Sequence, residues 1–248
     1  MMFWREASVL DVAHKQFVYK LKAYINVFSA LVGVQLLGLL FSLNPIGGSG
    51  TSSGGMSFSA QYYSGDIIVW FTLFWGFVVA VTLTQKGYRD IDFTFVSNRL
   101  SHHLSNISFL LTTSLIGGVS ALCASVLLKV IIYFMNDPEV TVIKDSYALQ
   151  EWILGVLVIA LYLFLLTSSG YFVGMLVQLN KIFIVILPAI LFGFLILELM
   201  FGGAFVSPIV QFFATETSFL LFSLKVLITS SLLFVSSVFV GRRLEVRS

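Results

Sequence analysis

Residues 93–106, "FTFVSNRLSHHLSN", gather an arginine, two adjacent histidines, three serines and two asparagines in a chain that is otherwise apolar. His102 and Asn106 share one helix face. This His-x-x-x-Asn spacing serves intramembrane proteolysis when a Glu-Glu pair stands on another helix, and no Glu-Glu occurs in the sequence. A zinc centre needs three or four ligands. Adjacent histidines diverge on a helix, and His14 is the only other one. No Ser/His/Asp set falls at a shared membrane depth. The stretch therefore reads as a docking surface for a partner, with a merely solvated loop as the plain alternative. Lys129, Glu198 and Lys225 are ionisable residues inside apolar runs. Such residues mark pathways by default, but all three lie toward one side, which speaks against a deep proton relay. With Glu216 they form a set of outer-side charges, and Lys225 is expected to be neutralised by Glu198 or Glu216, because a lone charge there is costly.

The elements that must position these groups follow from composition. Of 248 residues, 58% are hydrophobic and 10% charged, against about a quarter charged in soluble domains. Mean hydropathy is +0.98. Six apolar stretches run roughly from Tyr24 to Leu43, Asp66 to Thr84, Ile107 to Met135, Trp152 to Val177, Ile182 to Phe201 and Phe219 to Val240. Each is long enough to cross a hydrocarbon core about 30 Å thick. Helices are required, because lipid leaves backbone groups no other partner. The expected fold is an all-α integral membrane protein: an interfacial amphipathic helix at 1–23, a six-helix domain at 24–240 and a tail at 241–248. The N-terminus is not expected to be a cleavable signal.

Charge sets the expected orientation. With both ends inside, Arg5, Lys15, Lys20, Lys22, Lys86, Arg89, Arg99, Lys181, Arg242, Arg243 and Arg247 are cytoplasmic, and Lys144 alone lies in an outer loop. Lys129 and Lys225 would snorkel toward the outer headgroups. The reading is a multi-pass cell-membrane protein, N-in and C-in. Residues 44–65 read as a flexible Gly/Ser-rich linker. Residues 202–218 are apolar for a loop and are expected to dip back into the outer leaflet. In the first 23 residues, Leu10, Ala13, Phe17 and Leu21 recur at helical spacing, opposite charged positions. Val96, Leu100, Leu104 and Ile107 make a similar stripe in the polar stretch, leaving Arg99, His102 and His103 on other faces. Cys123 reads as a buried free thiol. Ser114, Gly118, Ala121 and Ser125, and the Gly170-x-x-x-Gly174 pair, read as close helix contacts.

This layout resembles the permease subunits of ABC transporters, of the type-2 exporter class, and the wording of the polar stretch is similar to permeases of Gram-positive bacteria. The resemblance covers the whole layout: an interfacial helix, six crossings, a cytoplasmic coupling helix ("FTFVSNRLSHHLSN") and an apolar re-entrant segment ("AFVSPIVQFFATE") before the last crossing. It implies that Val96, Arg99, Leu100, His102 and His103 contact a cytoplasmic ABC ATPase. It also implies a second permease copy or a related permease. The chain has no Gly-x-x-x-x-Gly-Lys-Ser/Thr, so ATP and magnesium would sit on the partner ATPase, with no cofactor in this chain. The expected role is export of an amphipathic or apolar cargo (a peptide, lipid or drug-like molecule), with membrane lipids as surroundings and no nucleic acid. A non-transporting immunity or assembly protein is the other reading, and an intramembrane enzyme a third.

Overall fold

The computed structural model of the chain describes residues 8–45, 47–53, 56–85, 87, 99–135, 149–201 and 207–244. Its elements in chain order are α1 (Val9–Ala23), α2 (Ile25–Ser42), β1 (Gly47–Ser53), β2 (Met56–Tyr62), α3 (Asp66–Leu83), α4 (Arg99–Met135), α5 (Leu149–Leu179), α6 (Phe183–Met200), α7 (Ser207–Ala214) and α8 (Phe219–Leu244). Six of these helices (α2, α3, α4, α5, α6 and α8) are long and apolar enough to cross a membrane. The all-α, multi-pass architecture holds for them.

Two local readings change. The Gly/Ser-rich stretch after α2 was expected to be a flexible linker. It contains β1 and β2, paired antiparallel from Gly47↔Tyr62 to Ser53↔Met56. The third apolar stretch was expected to begin at Ile107, but α4 begins at Arg99 and has 37 residues. At 1.5 Å per residue that is about 55 Å, well beyond the hydrocarbon thickness. The polar turns 99–106 are therefore the first two turns of a spanning helix.

The start of α1 has a clear cause. Ser8 Oγ accepts from the backbone N–H of Asp11 at 3.2 Å, and Asp11 places negative charge in the first turn. The helix breaks at Tyr24, where φ −104 and ψ 32 interrupt the ladder before α2.

The chain divides into two compact units. One comprises Leu21–Gly76 and Leu111–Leu163. Its core is Leu39, Ile68, Leu128 and Ile132, with Leu43, Tyr63, Ala124 and Ile131 packed on it. Small residues let its helices touch. A Cβ on Gly118 would meet the Val156 carbonyl oxygen at 3.0 Å and the Ala160 Cβ at 3.1 Å. Inside this apolar unit lies a polar tie: Gln35 Nε2 donates to Thr72 Oγ1 at 3.2 Å and to Ser120 Oγ at 2.9 Å. Many other hydroxyls donate to carbonyls three or four residues back, as Thr72 does to Ile68 O and Ser125 to Ala121 O. That habit makes them compatible with lipid.

The other unit comprises Met1–Lys20, Phe77–Leu110 and Phe164–Ser248. The ring of Phe234 packs on Phe164 at 5.6 Å and on Tyr171 at 5.8 Å between centroids. Here Gly170 meets α3. A Cβ on it would lie 2.6 Å from the Phe77 carbonyl oxygen and 3.1 Å from the Ala80 Cβ. One turn on, Gly174 faces the Thr84 side chain. The Gly170/Gly174 pair is thus a helix contact of the small-residue type. Because the obstacle at Gly170 is backbone, Gly170→Ala is expected to destabilise the protein by about 1–3 kcal/mol. Gly33→Ala has nothing within 4 Å to strike and should gain up to about 1 kcal/mol from helix propensity. Unfolding curves of the two variants in mixed micelles, run beside the native chain, check the opposite signs.

Candidate functional site

The polar groups of 101–106 turn inward. Ser101, His102, Ser105 and Asn106 are buried, His103 is half-buried, and Leu100 is 55% exposed. Ser101, His102, Ser105 and Asn106 thus face protein, and Leu100 does not. The cause is a set of polar partners that the local sequence does not reveal.

The set is built by three helices of one unit. From α1, Lys20 is fully buried, and its ammonium donates to Ser105 Oγ at 2.9 Å and to Asn106 Oδ1. An ammonium can only donate, which fixes the Asn106 amide with its oxygen toward Lys20. The amide nitrogen then donates to Tyr171 Oη of α5 at 3.2 Å and lies 3.2 Å from His102 Nε2. The Tyr171 hydroxyl is 2.8 Å from His103 Nδ1. Donor counting gives the rest. His102 Nε2 accepts, so a neutral His102 holds its proton on Nδ1. Tyr171 accepts from Asn106, and its hydroxyl and His103 Nδ1 share one hydrogen between them. One run of hydrogen bonds, Lys20 to Asn106 to Tyr171 to His103, links α1, α4 and α5.

A fourth helix approaches where it has no side chain. A Cβ on Gly241 of α8 would lie 3.1 Å from His103 Nε2 and 3.0 Å from Met175 Cε. Ser105 donates its hydroxyl hydrogen to the His102 carbonyl at 2.9 Å while accepting from Lys20. With its proton committed, one lone pair occupied and its side chain fully buried, Ser105 serves as a junction between helices. Such networks are strong when every member is satisfied and costly when one is removed.

The residues singled out from the sequence fall as follows. Val96 lies outside the described residues, and Arg99 is the first residue of α4. His102 and His103 belong to the network, so substituting them acts on helix attachment as well as on any docking surface. Lys129 is half-buried on α4 and Glu198 half-buried on α6. Lys225 of α8 pairs with Glu216, donates to the Phe212 carbonyl at 3.1 Å and stands 4.0 Å from the centroid of the Phe212 ring. Glu216 is thus the carboxylate that neutralises it. The contacts with Phe212 fasten α7, the short apolar helix, to α8. Cys123, expected to be buried, is exposed on α4. Among the described residues no three His, Cys, Asp or Glu side chains converge as metal ligands.

Lys20, Ser105 and Tyr171 were not picked out as site residues from the sequence, and Asn106 was weighed only with His102 in the His-x-x-x-Asn spacing. One signal was present: Tyr171 is a hydroxyl-bearing ring inside a span, next to Gly170 and Gly174, where a neighbouring helix must come close. Compared with protein-family models, curated proteins and solved structures, the chain matches none.

Proposed function

We propose that this chain is the membrane permease subunit of an ATP-driven exporter of the ABC type-2 class, energised by a separate ATPase and paired with a second permease. The observation that carries the reading is the tie between the helix preceding the first span and the start of the third. Through Lys20 and Asn106, displacement of the first turns of α4 is passed to α1, and through Tyr171 to α5. A partner pressing on the segment before Arg99 would therefore move three helices together. ATP and magnesium belong to that partner. The spans carry hydroxyls, amides and aromatic rings with very few charges, which suits an amphipathic or apolar cargo such as a peptide or lipid.

The reading requires both termini on the cytoplasmic side of the cell membrane. In a Cys123→Ser background, single cysteines within 44–65, 136–151 and 202–218 should react with an impermeant thiol reagent added to intact cells. Cysteines replacing Lys86, Asn180 or Arg243 should react only after permeabilisation. Labelling of Arg243→Cys from outside would remove the permease reading, because the coupling segment and the tail must share the ATPase side.

A further inference from the structure

α1 is held through one flank, where Ala13, Gln16 and Lys20 are all buried. Its two buried polar side chains are placed in opposite circumstances. The Lys20 ammonium donates to Ser105 and Asn106. One turn earlier Gln16 is 2% exposed, yet neither its amide nitrogen nor its amide oxygen has a hydrogen-bond partner among the described residues. A polar group buried in this way costs a factor of about 5–150 in population. Methionine or leucine would fill a similar volume with similar helix propensity and no such cost.

We propose that α1 is a releasable strap, engaged through Lys20 and kept near its point of release by the unsatisfied amide of Gln16. Docked, the strap belongs to the run from Lys20 through Asn106 to Tyr171. Released, it leaves that run at Lys20, and water satisfies both ends of the Gln16 amide at once. The contacts of the ammonium favour the docked form and hydration of the amide favours the released one. The two opposing effects are of comparable size, so a small push at either end moves the balance. The helix ladder is already interrupted at Tyr24, so α1 can leave without unwinding α2. Asn106 keeps its bond to Tyr171 in the released form, so α4 and α5 stay tied and α1 alone is uncoupled. The device needs no ATPase and goes beyond the permease reading, which stands or falls separately.

The test uses the full chain with Ala13→Cys in the Cys123→Ser background, in mixed micelles. A water-soluble thiol reagent is added at levels where the rate is proportional to reagent, so that the rate reads the released fraction. Gln16→Met should slow labelling at least about fivefold, and Gln16→Leu, of different shape, should slow it as well. Lys20→Met removes the holding contacts and should speed it about 10- to 100-fold. Ala160→Cys, at a buried position of α5, should stay protected in every variant, which separates release from unfolding. Labelling of Ala13→Cys that is unchanged or faster in both Gln16 variants would overturn the proposal. So would an unchanged rate in Lys20→Met, or reaction of Ala13→Cys and Ala160→Cys at one common rate in the otherwise native chain.

Discussion

Asn106→Leu should cost about 3–5 kcal/mol of stability, a large share of what a folded domain has. The change removes the oxygen that accepts from buried Lys20 and the nitrogen that serves Tyr171 and His102 at once. A lost hydrogen bond to a charged group contributes roughly 1.5–3 kcal/mol, and each buried neutral group left unsatisfied adds about 1–3 kcal/mol. These do not add in full, because the survivors rearrange. Lys20→Met should cost less, about 1.5–3 kcal/mol, since methionine fills much of the same volume without a charge. The decisive quantity is the double variant. If the two residues act through one bond, Lys20→Met with Asn106→Leu should be little worse than Asn106→Leu alone, giving a coupling of at least about 1.5 kcal/mol. Unfolding in mixed micelles reads it. A local probe separates loss of the tie from general unfolding. Ala13 is buried on α1, and Ala13→Cys should become thiol-reactive in the Asn106→Leu protein under conditions where the spans stay folded. Strictly additive costs, with Ala13→Cys still protected, would mean that α1 is held by something else.

The spans were legible because a run of about 20 apolar residues has few other fates. The first was expected from Tyr24 to Leu43 and runs Ile25–Ser42; the second was expected from Asp66 to Thr84 and runs Asp66–Leu83. The start of α4 was not legible. A polar stretch ahead of an apolar run reads as a loop or surface helix, because water is the default partner of histidine and asparagine. Here the partners are Lys20 and Tyr171, separated from Asn106 by 86 and 65 positions, and no local pattern encodes that. Lys20 was misleading for the same reason. It contributed to the positive-inside count, yet its side chain lies in the network. On α1 the stripe Leu10, Ala13, Phe17 and Leu21 was nearly right, but the buried side is rotated toward Gln16 and Lys20, since a satisfied ammonium can be buried and an exposed leucine can face lipid. The hairpin was hidden by composition. Glycine and serine suggest a linker, although Gly54-Gly55 between Ser53 and Met56 is itself a hairpin signal. The Lys225–Glu216 pair was legible as one of two options, because few carboxylates lie near that end of α8.

The central claim is that a separate ATPase drives this chain through the segment leading into α4. The direct measurement is affinity purification of the tagged full chain from membranes of its source cells in mild detergent, with identification of co-purifying proteins and assay of ATP hydrolysis. The native chain should bring down an ABC-type ATPase subunit and a vanadate-sensitive hydrolysis. Arg99→Glu reverses the charge at the first residue of α4. A partly desolvated charge-assisted contact contributes roughly 1.5–3 kcal/mol, so recovery of the ATPase should fall about 10- to 100-fold while membrane insertion stays unchanged. If the native chain brings down no nucleotide-binding subunit, or if Arg99→Glu retains the ATPase and its hydrolysis in full, the account is contradicted.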